Sequence, residues 1–123
     1  MFHVVLYQPE IPPNTGNIIR LCANTGSTLH LIHPLGFELS DKALRRAGLD
    51  YHLLARVEEH ADFTSFLNKS NPDRLFAFST HGRVRYTAVK FQAGDYLLFG
   101  PETRGLPEAL RRRLPQERRL RLP

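Results

Sequence analysis

Two short segments of the sequence combine glycine with polar side chains in a way that suits chemistry on a bound ligand. The first is residues 14–20, Asn-Thr-Gly-Asn-Ile-Ile-Arg, where an arginine follows two amides and a glycine. On a helix with 3.6 residues per turn, Gly16, Asn17 and Arg20 share one face with Asn24. Exposed helix faces usually carry Glu and Lys, so this composition favours a site for an anionic or polar ligand. An ordinary solvated face is the alternative.

The second segment is residues 97–107, Leu-Leu-Phe-Gly-Pro-Glu-Thr-Arg-Gly-Leu-Pro. A buried strand that runs into Gly100, Pro101 and Glu102 predicts a rigid loop whose backbone approaches a ligand closely. The Glu102 carboxylate would accept hydrogen bonds from a ligand or from a neighbouring segment. A turn selected only for its geometry, with Glu102 solvated, is the alternative.

Several common chemistries lack their motifs. We find no Gly-x-Gly-x-x-Gly after a strand, no phosphate-binding Walker loop and no Gly-x-Ser-x-Gly elbow. The only close histidine pair is His30 and His33, without a second pair at ligand spacing, so we expect no metal. Cys22 stands alone on the apolar side of its helix, which favours a core position over a nucleophile.

The elements that must position these residues alternate between strand and helix. Hydrophobic patterns and turn signals predict strands at residues 2–7, 27–32, 55–59, 74–80 and 95–100, and a last strand within 117–123. Helices are predicted from Asn14 as N-cap to Gly26, and over residues 40–48, 61–70 and 107–115. This order predicts a single α/β domain, residues 1–123, with a mostly parallel sheet flanked by helices.

The first helix carries a second pattern that predicts its orientation. Ile18, Leu21, Cys22 and Thr25 share the face opposite Arg20, and we expect that face to pack against the sheet. The strand at the end of the sequence has nothing after it to cover a sheet face. It therefore predicts either an edge strand or a continuation that this sequence omits.

Length and composition bound the class of protein. The 123 residues are 41% hydrophobic and 24% charged, which is typical of one globular domain. No stretch approaches the roughly 20 apolar residues of a membrane span, and the N-terminus lacks the basic start of a signal peptide. One cysteine excludes an intrachain disulfide framework. A soluble cytoplasmic protein is the expectation.

Positive charge is concentrated in the C-terminal part of the chain. Residues 1–73 have a net charge of −2 and residues 74–123 a net charge of +7, and 14 of the 17 cations are arginine. Arginine suits bidentate phosphate contacts, so a phosphate-backbone partner such as RNA competes with a merely solvated face. On charge alone, the candidate RNA-binding residues are Arg83, Arg85, Arg111, Arg112 and Arg113. Tyr51 and Tyr86 are candidates for base stacking or for the core.

Taken together, the two motifs resemble those of the SPOUT class of RNA methyltransferases, and within it the SpoU-type ribose 2′-O-methyltransferases. The first matches the class's Asn-x-Gly-Asn-Ile-x-Arg element and the second its Phe-Gly-Pro-Glu-x-x-Gly-h-Pro element, where h is hydrophobic. The lead-in at residues 6–26, with Arg-Arg-Ala-Gly-Leu-Asp-Tyr-His at 45–52, is similar to the small YibK/TrmL-like enzymes. Those enzymes methylate the wobble nucleotide of tRNA.

This resemblance implies a fold, a cofactor and a set of roles. Members of the class have a C-terminal trefoil knot, bind S-adenosylmethionine within it and act as homodimers. By position, Arg20 would be catalytic, supported by Asn14 and Glu102. The expected cofactor contacts are Phe78, Gly100 and Leu122. The class also has a third motif after the last strand, which is not found in these 123 residues, and we expect a knot-closing segment to follow in the full protein.

The substrate implied by the resemblance is the anticodon loop of tRNA, with cytidine or uridine at the wobble position and leucine isoacceptors as the expected set. Two alternatives stay open. One is a non-catalytic RNA-binding module of the same fold, and the other is a ribose methyltransferase that acts on ribosomal RNA. Ribosomal-RNA relatives often carry an N-terminal RNA-binding domain. Here the first predicted strand begins at residue 2, so these residues do not include such a domain, and we expect the tRNA enzyme.

Overall fold

A parallel β-sheet organises the part of the chain that the structure describes. The computed structural model describes residues 1–40, 42, 46, 48 and 51–122. Its strands are β1 (His3–Tyr7), β2 (Thr28–Ile32), β3 (Val57–His60), β4 (Leu75–Ser79), β5 (Val84–Arg85), β6 (Tyr96–Phe99) and β7 (Arg119–Arg121). They lie in the order β3-β2-β1-β6-β4-β7-β5, and each neighbouring pair is parallel. The predicted α/β class with a parallel sheet is confirmed.

Helices cover both faces of this sheet. The described α-helices are α1 (Pro12–Thr25), α2 (Phe63–Ser70) and α3 (Glu108–Arg111), with 3-10 helices at Tyr51–Arg56, Tyr86–Ala88 and Gln116–Arg118. Helix α1 packs with Leu6, Leu29 and Leu31 on one face. Helices α2 and α3 pack on the other face, in a core that includes Val5 and Leu98. Most of the helix predicted at residues 40–48 lies outside the described residues.

Helix α1 begins earlier than predicted, so Asn14 is not its N-cap. The N-cap is Ile11, and its side chain makes no capping hydrogen bond. Pro12 and Pro13 occupy the first two helical positions, where a missing N–H group costs nothing and the fixed φ favours the helix. The helix therefore starts before Asn14, whereas its end at the left-handed Gly26 (φ 71°) is as predicted.

The face of α1 that meets the sheet also differs from the prediction. Leu21 was expected to be buried but is 59% exposed, and Thr25 is exposed as well. Gly16, expected on the polar face, is buried instead. Positions 15, 16, 19 and 22 recur at helical spacing, so the buried stripe is centred on the side of Thr15 and Ile19 and leaves Leu21 in solvent. The buried residues are Thr15, Gly16, Ile19 and Cys22, so the core position expected for Cys22 is confirmed.

The last strand, β7, is neither an edge strand nor a loose end within the described structure. It lies between β4 and β5, two strands that follow each other along the chain. The connection from β4 to β5 must therefore cross β7. Gly82 lies at this crossing, where an added Cβ would be 2.2 Å from the carbonyl carbon of Leu120. Only a residue without a side chain fits there.

The remaining elements differ little from the predictions. Helix α2 begins after Asp62, whose Oδ1 accepts a 2.7 Å hydrogen bond from the Ser65 N–H, and it ends at Asn71. Strand β3 starts two residues later than predicted, β5 was missed, and α3 is a single turn that ends well before Pro115. Among the described residues, no helix is both long enough and apolar enough to cross a membrane.

Candidate functional site

The carboxyl ends of three adjacent strands deliver the loops that build the candidate site. Strands β1, β6 and β4 are neighbours and run in the same direction, so the segments that follow them meet at one edge of the sheet. These segments are residues 8–11, 80–83 and 100–107. Ligands of open α/β sheets bind at this edge, beyond the carboxyl ends of the strands.

The carboxylates of Glu10 and Glu102 join the loop before α1 to the loop after β6 through reciprocal hydrogen bonds, which we call the clasp. Glu102 Oε2 accepts hydrogen bonds from the backbone N–H groups of Glu10, at 3.0 Å, and Ile11. In return, Glu10 Oε1 accepts from the backbone N–H of Thr103 at 2.9 Å and from its hydroxyl at 2.7 Å. The Thr103 hydrogen bonds lower the pKa of Glu10, and Arg104 Nε lies 3.5 Å from its Oε2. Glu102 is thus held at the start of α1 by backbone hydrogen bonds, although its side chain is exposed.

The loop after β6 borders a cavity of about 600 Å³, which we call the loop cavity. The three residues expected to contact a cofactor, Phe78, Gly100 and Leu122, all line it. They come from the ends of β4 and β6 and from the residue after β7. Further lining comes from residues 79–81, 101–108 and Arg111. The structure therefore brings together three positions that are far apart in the sequence.

Gly100 lies where the loop after β6 folds back against residues 105 and 106. A Cβ added there would lie 2.4 Å from the backbone nitrogen of Leu106 and 2.5 Å from the carbonyl carbon of Gly105. These contacts are to backbone, which cannot swing aside as a flexible side chain would. The loop can fold back on itself only because position 100 has no side chain.

A second cavity of about 600 Å³, the helix cavity, opens beside α1. Asn14, Asn17, Gly100 and Glu102 contribute to its lining. The other lining residues are apolar, namely Val4, Leu6, Ile18, Leu21, Leu97 and Phe99. Gly100 and Glu102 border both cavities, so the supporting pair predicted from the sequence, Asn14 and Glu102, lies next to the predicted cofactor residues.

Arg20 lies one helical turn beyond this polar group. Its Nη1 is 3.5 Å from Asn17 Oδ1 and its Nη2 is 3.4 Å from the carbonyl oxygen of Gly48. Asn17 also lines the helix cavity, so it links Arg20 to Asn14. Sequence reasoning placed Asn17 on the same face as Arg20 but gave it no role. A guanidinium next to amides at this edge can bind a phosphate or stabilise negative charge on an oxygen.

The predicted RNA-binding arginines do not form one patch. Arg111 to Arg113 are consecutive, so on a helical turn they point in different directions. Arg111 Nε donates to the Leu106 carbonyl at 3.2 Å and faces the loop cavity. Arg112 pairs with Glu108 at 2.7 Å, and Arg113 lies over the Phe63 ring, 5.2 Å from its centroid.

Arg83 and Arg85 are exposed on and directly before β5, the outermost strand on one side of the sheet. Arg85 lines a smaller cavity of about 350 Å³ with Tyr86, Thr87, Arg121 and Leu122. Tyr86 is 39% exposed, which leaves its ring free for stacking on that side. The Tyr51 side chain lies outside the described residues. Leu122 belongs to both this cavity and the loop cavity, so the basic edge adjoins the candidate cofactor site.

Comparison with known proteins covers the whole chain. The model of the SpoU rRNA Methylase family matches residues 1–123. The tRNA (cytidine(34)-2'-O)-methyltransferase of Escherichia coli K12 is 59% identical over 123 residues, which are 100% of this chain and 78% of that protein.

Solved structures show the same likeness in three dimensions. One described as giving structural insights into the 2-OH methylation of C/U34 on tRNA is 50% identical, with a TM-score of 0.87, and the match covers 100% of this chain and 80% of that one. An AdoMet-bound rRNA methyltransferase from Sinorhizobium meliloti, 24% identical with a TM-score of 0.78, matches 99% of this chain and 47% of its own. At that identity the second likeness shows the shared fold alone.

Proposed function

Because this chain belongs to the SpoU rRNA methylase family, we propose that it transfers a methyl group from S-adenosylmethionine to the ribose 2′-hydroxyl of nucleotide 34 of tRNA. The methyl acceptor is cytidine or uridine at the wobble position. The observation that carries the proposal is the meeting of the two sequence motifs. Asn14 and Asn17 of the first motif share the helix cavity with Gly100 and Glu102 of the second.

The residues around the loop cavity fit S-adenosylmethionine. The cavity is lined by Phe78 and Leu122 and by the close-approach backbone at Gly100. Its volume, about 600 Å³, is that of a site for a small organic ligand. These three residues would hold the cofactor, which when bound supplies an electrophilic methyl group on a sulfonium.

Arg20 carries the electrostatic part of the proposed mechanism. A guanidinium stays protonated at neutral pH and is a poor proton acceptor, so Arg20 does not act as the base. It grips the phosphate next to the target ribose and stabilises the negative charge that develops on the 2′-oxygen. The proton of the 2′-hydroxyl passes to another acceptor, for which the adjacent phosphate is one candidate. Asn17, at 3.5 Å, orients the guanidinium for this role.

The trefoil knot and the homodimer belong to the same proposal. The crossing of β7 by the β4–β5 connection, closed at Gly82, supports the knotted topology. The exposure of Leu21, next to the apolar lining of the helix cavity, supports a subunit contact along α1, since apolar patches of this kind mark interaction surfaces. A tRNA substrate is consistent with a protein that acts in the cytoplasm.

The exposed arginines Arg83 and Arg85 are proposed to contact phosphates of the anticodon stem-loop. We expect the double variant Arg83→Ala/Arg85→Ala to bind tRNA more weakly and to reduce the slope of log K against log salt by about two, because each lost phosphate contact removes close to one unit. Filter binding at several salt concentrations measures this. Arg56→Ala is the control for loss of an arginine elsewhere, since Arg56 bonds to Gly26 at the opposite end of the sheet. An unchanged slope in the double variant would remove these two residues from the RNA surface.

The clasp between the two loops yields a prediction about cofactor affinity. We expect Glu10→Gln to weaken S-adenosylmethionine binding several-fold, because the charged acceptor that holds Thr103 is lost and the cavity-lining loop is less ordered in the free protein. Thr103→Val removes the same hydroxyl contact from the other side. Calorimetric titration of both single variants and the double variant measures the coupling. Strictly additive losses would show that the clasp does not position the loop.

The assay that tests the function supplies radiolabelled S-adenosylmethionine with either bulk tRNA or ribosomal RNA. We expect label in tRNA and none in ribosomal RNA. Label in ribosomal RNA alone would establish the rival substrate. Binding of tRNA without any cofactor binding would establish the non-catalytic module.

A further inference from the structure

Three histidines and a glutamate meet on the β1–β2–β3 side of the sheet. Strands β2 and β3 place His30 opposite Glu58, and His60 follows two residues later on the same face of β3. His30 Nδ1 lies 2.9 Å from His60 Nε2 and 3.4 Å from Glu58 Oε2. One ligand atom from each of these residues lies within 4.8 Å of the other two. This convergence arises from two strands and is invisible in the sequence spacing.

We propose that His30, Glu58 and His60 form a binding site for a divalent transition-metal ion such as Zn²⁺. Two imidazole nitrogens and a carboxylate oxygen are a common three-ligand set for zinc, with water at the fourth position. A Zn–N bond of about 2.0–2.1 Å in a tetrahedral site places neighbouring ligand atoms about 3.3 Å apart. The observed separations of 2.9 and 3.4 Å lie on either side of that value. Small ring rotations would admit the ion.

His3 supplies the outer contact that a metal-binding imidazole needs. Its Nδ1 lies 2.9 Å from His30 Nε2, the nitrogen that does not face the site. With the His30 proton on Nε2 and shared with His3, His30 Nδ1 is left free to bind the ion. Such partners fix the tautomer and orientation of metal ligands. Tyr96 stacks on the His3 ring at a centroid distance of 4.0 Å and holds it in place.

The surroundings keep the ligands ordered. His30 is 1% exposed, and Phe66 packs edge-on against both His30 and His60. The His30–His60 hydrogen bond already holds the two rings close together. The ion would replace the proton between His30 Nδ1 and His60 Nε2, which would move to His60 Nδ1 and leave the imidazole neutral.

Access and charge are set by Glu58 and Lys69. The Glu58 side chain is 41% exposed, so the site opens to solvent at its carboxylate. The Lys69 ammonium lies 3.7 Å from Glu58 Oε1. The other carboxylate oxygen, Oε2, faces His30 and would bind the ion. None of the four cluster residues lines the loop cavity or the helix cavity. The ion would therefore brace the β1–β2–β3 side of the sheet rather than act on the methyl transfer.

The test measures zinc on untagged protein that has first been stripped with a chelator. We expect equilibrium dialysis to give one Zn²⁺ per chain and Co²⁺ to give the visible bands of a tetrahedral nitrogen–oxygen site. We also expect the melting temperature to rise with free Zn²⁺, because an ion bound only to the folded chain stabilises it by mass action. No saturable binding at micromolar Zn²⁺ would overturn the proposal.

Variants separate this site from adventitious binding. Glu58→Gln preserves shape at a partly exposed position and should lower zinc affinity by at least about tenfold, and His3→Ala should lower it by about 10- to 100-fold. The control is His33→Ala, since His33 pairs with Glu59 at 2.7 Å on the surface and is the competing weak site. Loss of the bound ion in His33→Ala, with Glu58→Gln unaffected, would also overturn the proposal.

Discussion

Replacing Arg20 with alanine should lower kcat for tRNA methylation by about 10²- to 10³-fold, the cost of losing one preorganised donor to a developing oxyanion. The guanidinium lies at the sheet edge where Asn17 and the Gly48 carbonyl orient it. Its charge is needed most when the 2′-oxygen becomes negative, so the loss should fall mainly on kcat. Single-turnover rates at saturating tRNA and cofactor measure this directly.

Arg20→Lys distinguishes charge from geometry. Lysine keeps the positive charge but lacks the planar fork that can bind a phosphate and face the 2′-oxygen together. We therefore expect near-normal tRNA binding and the loss of most turnover. Arg56→Ala serves as the control for removal of an arginine elsewhere. Near-normal methylation by Arg20→Ala would show that Arg20 has no part in the chemistry.

Replacing Gly100 with alanine should raise the Kd for S-adenosylmethionine by about 10- to 100-fold, equivalent to about 1.4–2.8 kcal/mol. The added Cβ would lie 2.4 Å from the Leu106 backbone nitrogen, so the loop must open and the cavity it lines must change shape. The cost falls on the site because Gly100 borders both cavities. Calorimetric titration of the cofactor measures the change.

Gly94→Ala is the matched control for this variant. Gly94 has a φ of 90° but no atom within 4 Å of an added Cβ, and it lies in the turn that leads into β6, at the other end of that strand. Alanine there strains the backbone and should lower the melting temperature without changing cofactor affinity in the folded protein. Equal losses of affinity in both variants would mean that general destabilisation, and not the loop, is responsible.

Local patterns were sufficient to predict most of the sheet. Strands β1, β2, β4 and β6 are short apolar runs bounded by turn signals, and each was found within one or two residues. Strand β5 was missed because two residues carry no periodicity. The position of β7 between β4 and β5 depends on a chain crossing at Gly82, which pairs segments about 40 residues apart that no local pattern connects.

The residues of the candidate site that belong to the two sequence motifs could be predicted from the sequence. The motifs named Asn14, Arg20, Gly100 and Glu102, and the parallel strands explain why helix α1 and the loop after β6, which carry them, converge. Sequence reasoning missed Glu10, because its partner Thr103 lies 93 residues away and a lone loop carboxylate reads as solvated.

Other side-chain directions and contacts required the three-dimensional structure. The divergence of Arg111 from Arg113 follows from helical geometry that a run of like charges conceals. The histidine cluster needed the register between β2 and β3, which places His30 beside Glu58. In both cases the missing information was which residues lie next to each other across the fold.

The most direct test of the proposed function is to map the ribose that this protein methylates in an unmodified tRNA transcript. The transcript carries cytidine or uridine at the wobble position, and a matched transcript with a 2′-deoxyribose at nucleotide 34 is the control. We predict one 2′-O-methyl group at nucleotide 34, dependent on S-adenosylmethionine and absent from the deoxy control. A methyl group at any other nucleotide, or on a base, would contradict the proposed function.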